Sequence, residues 1–109
     1  MNRKWYEINN SVDVTDVYLF NDIGTFGISA QSFVEEIKEY ENKELAIHIN
    51  SLGGEVFEGM AIYSIIQRRK AKTTVYIEGI AASIASVIAL AADEVIMSEN
   101  SLLMIHNAW

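Results

Sequence analysis

Apolar runs too short to be helices alternate with segments of helical period along most of this chain, and that alternation leaves few architectures open. Residues 44–49, Glu-Leu-Ala-Ile-His-Ile, read as a strand, as do residues 73–77, Thr-Thr-Val-Tyr-Ile. Helices are expected between and after them, over about 55–69 and about 83–92, followed by short apolar runs at 94–97 and 102–105. Upstream, residues 17–20 read as a strand ending in a turn at Asn21-Asp22-Ile23-Gly24. Ser29 is an N-cap residue for a helix over about 30–40, in which Phe33, Ile37 and Tyr40 form one buried stripe. Strand–helix repeats of this kind predict an α/β fold with a largely parallel sheet and right-handed crossovers. In the 55–69 helix, apolar residues from Val56 to Ile66 cover more than half the circumference, which predicts cover on more than one side.

At 109 residues the chain has the size of one ordinary domain, and half of it is hydrophobic, enough for a sizeable core. A net charge of −7 argues against nucleic acid or anionic membrane as a partner, since both require a basic face. With no cysteine there is no disulfide and no thiolate metal site, and nothing calls for a cofactor. The longest apolar stretch, 84–92, is interrupted by Ser86 and is far too short to span a bilayer. The first residues carry no apolar signal-peptide core, so the expected compartment is the cytoplasm. From Gly79 onward the only formal charges are Asp93, Glu94 and Glu99, so this alanine-rich segment is expected to be covered by more chain or by a neighbouring subunit.

Three features fall at the C-terminal ends of expected strands, where open α/β sheets form their active-site crevice: the Gly53-Gly54 turn, Ser83 and His106. Each alone has an ordinary explanation. The glycines could form a turn leading into a helix, Ser83 could cap one, and His106 could be a satisfied strand-end histidine. His48, in the middle of an apolar strand, reads as structural. Together they offer more. A nucleophilic serine needs a base within hydrogen-bond reach and donors for the oxyanion. Ser83, His106 and the N–H groups of Gly53 and Ile84 could provide these. The separation 106 − 83 = 23 leaves room for a helix, a strand and a return. The motif is not Gly-x-Ser-x-Gly, so the α/β-hydrolase elbow is not the precedent.

At these residues the sequence resembles the ClpP family, the proteolytic subunit of Clp proteases. Asn50-Ser51-Leu52-Gly53-Gly54 with the helix after it resembles that family's Asn-Ser-Pro-Gly-Gly turn. Gly79-Ile80-Ala81-Ala82-Ser83 resembles its Gly-x-Ala-Ala-Ser nucleophile motif, and Met104-Ile105-His106 its Met-Ile-His motif. Stretches such as Gly54-Glu55-Val56-Phe57 and Leu103-Met104-Ile105-His106-Asn107-Ala108-Trp109 are more similar still to the phage and prophage branch, the head-maturation proteases. The resemblance implies the ClpP/crotonase superfold and a serine endopeptidase working through a Ser-His-Asp triad and an acyl-enzyme. It implies a ring-like homo-oligomer acting on a polypeptide, such as a capsid or scaffold protein, bound as an added β-strand. By position it makes Ser83 the nucleophile and His106 the general base. It makes the Gly53 and Ile84 amides the oxyanion donors, and it lets Gly54 and Glu55 pair with the substrate backbone. It implies no metal and no cofactor.

Leu52 stands where the family usually has proline, and Ala108 where phage relatives often have it. In the family the triad aspartate follows well downstream of the histidine. The expectation is therefore that residues 1–109 are the N-terminal part of a single ClpP-like peptidase domain, incomplete at its C-terminus and with little or no activity by itself. Asp93 and Glu94 do not replace the acid, because they lie at the far end of the helix that Ser83 starts, about 15 Å away at helical rise. Two other readings stand beside this one. One is a non-catalytic oligomerisation module, motivated by the uncharged C-terminal region. The other is a crotonase-type acyl-CoA enzyme, disfavoured by the Ser83/His106 pair and by the lack of a basic patch for phosphates.

Overall fold

The computed structural model describes residues 14–104. It contains strands β1 (Val14–Leu19), β2 (Glu44–Ser51), β3 (Thr73–Ala82), β4 (Glu94–Met97) and β5 (Leu102–Met104). Its helices are α1 (Ala30–Ile37), α2 (Val56–Arg68) and α3 (Ile84–Ala89). The strands form one sheet in the order β1-β2-β3-β4, and β5 pairs with the later part of β3; every named strand pair is parallel. This is the expected α/β fold with a largely parallel sheet. No helix among the described residues is long and apolar enough to cross a membrane.

The period-2 alternation of the strands sorts their side chains onto two faces. Val17, Leu19, Leu45, Ile47, Ile49, Val75 and Ile77 enter the core with Phe33, Ile37, Ile62, Ile66 and Ile88 from the helices. The opposite face carries an in-register row across three strands, Tyr18–His48–Tyr76. The His48 ring stacks on both tyrosines, with centroids 4.6 and 5.1 Å away. Its Nε2 lies 2.7 Å from Asp16 Oδ1 and its Nδ1 2.5 Å from Glu78 Oε2. The structural reading of His48 thus has a concrete form: both ring nitrogens of a buried imidazole are committed to carboxylates from β1 and β3.

Ser29 caps α1 through a reciprocal box with Ser32, and the Glu58 carboxylate accepts from the Ala30 N–H at 2.7 Å. The helix is shorter than its apolar stripe predicts, ending at Ile37 and tightening into a 3₁₀ turn over Lys38–Tyr40. The Arg69 guanidinium donates to the carbonyls of Tyr40 and Lys43, and its Nε to Thr73 Oγ1, so it ties this turn to the end of α2 and the start of β3. The expected two-sided cover of α2 is not found among the described residues. Gly59, Ile62 and Ile66 are buried, whereas Val56, Phe57 and Met60 are exposed, because α1, α3 and the sheet all pack on one side.

Two further departures concern the segment around Ser83. β3 does not end at residue 77 but continues to Ala82, held by pairing with Ser51 on one side and with β5 on the other. α3 stops at Ala89 rather than 92, since the amides of Ala91 and Ala92 turn back to the third residue before them and the Asp93 N–H joins the start of β3 at Thr73 O.

Candidate active site

Ser83 follows the last residue of β3 with φ 57° and ψ −131°. A positive φ is rare for a residue with a side chain and costs about 1–3 kcal/mol unless its surroundings enforce it. Here they do. The Ser83 N–H donates to Met104 O at 3.2 Å, and its carbonyl accepts from the Ser86 N–H at 3.0 Å and the Ser86 hydroxyl at 2.5 Å. Ala81 and Ala82 are buried beneath it. The Ser83 side chain makes no capping hydrogen bond to α3, which removes the ordinary explanation for a serine at a helix start.

The Gly53 turn comes to the same point from β2. Gly53 has φ +103°, and a Cβ there would lie 2.7 Å from Ser83 Cβ, 2.8 Å from Ala82 O and 3.3 Å from the Ile84 nitrogen. Glycine is required both by the backbone angle and by the approach. The three residues expected to meet, Ser83, Gly53 and Ile84, therefore do meet. The Ile84 N–H is the first of α3 and has no acceptor within the helix. The Gly53 N–H donates to the buried Ser51 hydroxyl at 3.1 Å.

Gly54 and Glu55 are held by Ile23. The Ile23 N–H donates to Gly53 O and the Glu55 N–H to Ile23 O, both at 2.9 Å, forming a parallel bridge between Ile23 and Gly54. In that pattern the Gly54 N–H and C=O point away from Ile23, and neither has a hydrogen-bond partner among the described residues. Glu55 is placed differently. Its N–H is committed to Ile23 and its carbonyl to the Gly59 N–H at 3.1 Å, while its carboxylate accepts from Thr25 Oγ1 at 3.3 Å. A groove of about 620 Å³ opens beside this turn, walled by Ile23, Phe26, Leu52 and the 53–55 backbone, with Asp22 and Glu55 at its rim. Ile23 escaped the sequence reading; its one signal was a large apolar residue inside a polar turn.

His106 lies outside the described residues. Met104, two positions before it, bears the carbonyl that accepts the Ser83 N–H. Asp93 is held at the opposite end of β3, its Oδ2 accepting from the Thr73 N–H at 2.8 Å, and Glu94 pairs with Lys72 at 3.4 Å. The whole length of β3 separates that end from Ser83. Among the described residues no cluster of three or more His, Asp or Glu side chains is arranged to hold a metal ion.

Glycine turn, serine and groove all lie at the C-terminal ends of parallel strands, where open α/β sheets form their ligand crevice. The sequence matches the Clp protease family over residues 16–109, and the chain belongs to that family. It is 38% identical over 66 residues to the ATP-dependent Clp protease proteolytic subunit of Deinococcus radiodurans, a match covering 59% of this chain and 32% of that one. It is 33% identical over 104 residues to an uncharacterized protein of Methanocaldococcus jannaschii, covering 86% of this chain and 36% of that one. Its fold is similar to that of a ClpP1 mutant from Listeria monocytogenes, with a TM-score of 0.75, 25% identity, and coverage of 86% of this chain and 57% of that one. The chain spans about a third of the length of these curated relatives.

Proposed function

We propose that this chain carries the nucleophile half of a serine endopeptidase. Ser83 Oγ attacks the scissile carbonyl and passes its proton to His106. The Gly53 and Ile84 N–H groups stabilise the oxyanion, the peptide C–N bond breaks as His106 returns the proton to the departing amine, and water then hydrolyses the resulting acyl-enzyme. The observation that carries this reading is the conformation of Ser83: a strained, non-capping serine pinned against the Gly53 turn. In such a site the Gly53 amide exchanges the neutral Ser51 hydroxyl for a developing oxyanion, a stronger acceptor. A polypeptide substrate pairs with the open Gly54 N–H and C=O as an added strand and lies in the adjoining groove. Glu55 borders that groove with its amide and carbonyl both committed within the fold.

The motif resemblance to head-maturation proteases makes a capsid or scaffold protein the natural substrate, cleaved in the cytoplasm. The acid that orients His106 is neither Asp93 nor Glu94, both of which are held at the far end of β3. Homo-oligomerisation is supported by apolar side chains left exposed on α2 (Val56, Phe57 and Met60) and near the C-terminus (Leu90, Ile96, Met97, Leu102 and Met104). A fluorophosphonate probe tests the assignment. It should label Ser83 in the protein extended past Trp109, and absence of that label overturns the reading.

A further inference from the structure

We propose that Asn50 is a positioning residue for Ser83, acting through a two-residue bulge in β3; this rests on the reading of Ser83 as nucleophile. The evidence is a change of register between β2 and β3. Ile49 pairs with Ile77, an offset of 28, but Ser51 pairs with Ala81, an offset of 30. Two residues of β2 are thus matched by four of β3. If the first register continued, Ala81 would stand opposite Gly53. In the second, Ser83 does, which is the contact observed. An advance of two residues preserves the pleat, so the serine arrives at the glycine turn without any strand face being inverted. Bulges that re-aim a side chain next to an active site are a known use of this irregularity.

Asn50 holds the bulge. The Ile80 N–H, on the β2 side of the bulged strand, donates to Asn50 Oδ1 at 3.1 Å, so the side chain supplies the acceptor. The amide also fills the space over Gly79, where a Cβ would come within 2.3 Å of Asn50 Oδ1. At the near edge of the bulge Glu78 is fixed by His48 Nδ1 at 2.5 Å, and His48 in turn by Asp16 at 2.7 Å. Asn50 touches no reacting atom in this scheme. It acts by fixing how much of β3 is taken up before Ser83.

The test compares Asn50→Ala, Asn50→Asp and Gly79→Ala with the wild type in the full-length protein. The readouts are fluorophosphonate labelling of Ser83, resolved into probe affinity and limiting rate, and hydrogen exchange at the Ile80 amide. Asn50→Ala is expected to lower the limiting rate by about 10²-fold, the effect of a displacement near 1 Å, with probe affinity unchanged and Ile80 exchanging faster. Asn50→Asp keeps the acceptor oxygen and should restore the rate to within about threefold of wild type, well above Asn50→Ala. Gly79→Ala, whose methyl collides with Asn50 Oδ1, should slow labelling as well. If Asn50→Ala does not fold, the Asp and Gly79→Ala variants decide. Wild-type labelling by Asn50→Ala or Gly79→Ala, or an Asp variant as slow as the alanine one, overturns the proposal. A wild-type protein that does not label Ser83 instead overturns the nucleophile reading itself.

Discussion

Gly53 leaves no room for a side chain against Ser83: a Cβ at Gly53 would lie 2.7 Å from the Ser83 Cβ, inside any real carbon–carbon contact. Gly53→Ala must therefore push β2's turn and β3's end apart, and it must also hold φ +103° with a methyl group attached. The expected result is a loss of about 1–3 kcal/mol in urea unfolding. Because the Gly53 amide is one of the two proposed oxyanion donors, labelling of Ser83 should fall by about 10²-fold or more. A Gly53→Ala protein that labels normally removes Gly53 from the site.

Ser83 offers a test that separates a strained nucleophile from a capping serine. A cap replaced by alanine costs about 1 kcal/mol. The Ser83 side chain makes no cap, and its φ of 57° favours glycine. Ser83→Gly should therefore stabilise the fold by about 1 kcal/mol, Ser83→Ala should be close to neutral, and both should abolish probe labelling. Denaturant midpoints measure the first part. Two destabilised variants would restore the capping explanation.

His48 is the centre of a buried polar row. Its imidazole bridges Asp16 at 2.7 Å and Glu78 at 2.5 Å and lies between two tyrosine rings. His48→Leu keeps much of the volume but removes the imidazole that both carboxylates contact. The expected loss is about 1–3 kcal/mol, the usual effect of leaving a buried polar group without its partner. Adding Asp16→Leu should recover part of it in a double-mutant cycle. Equal stability of His48→Leu and wild type would show the row to be dispensable.

The order of elements was legible because short apolar runs alternate with segments of helical period and α1 has a strong cap at Ser29. The meeting of Ser83, Gly53 and Ile84 was legible because motifs at strand ends converge on one edge of a parallel sheet. The bulge was not. Gly79 signals the end of a strand and a bulge equally well, and what decides is pairing with Ser51 and with Leu102–Met104, both distant in sequence. Asn50 and Ile23 act on residues about thirty positions away, through contacts that no local pattern encodes. The apolar residues of α2 predicted burial on several sides, but periodicity reports only which residues are apolar, not whether this chain covers them. For Glu55, position in the motif indicated pairing with a substrate, whereas its amide and carbonyl are both committed within the fold.

Gly59 joins the helix packing to the site. In an exposed helix interior, glycine to alanine stabilises by about 0.5–1 kcal/mol. Gly59 is buried in α2 where it crosses α3, and a Cβ there would lie 2.2 Å from Ile84 Cγ1. Steric overlap should win over propensity, so Gly59→Ala is expected to destabilise by about 1–3 kcal/mol. The displaced residue is Ile84, whose N–H lies beside Gly53 and Ser83, so labelling should slow in the same variant. Ile84→Ala removes the colliding atoms at the expense of a small cavity. In the double variant Gly59→Ala/Ile84→Ala the new methyl partly refills that cavity, so its loss should be well below the sum of the two single losses. Additive losses would mean that the two helices do not meet through this pair. Strong coupling in stability with no change in labelling would mean that the contact supports the fold without orienting the Ile84 amide.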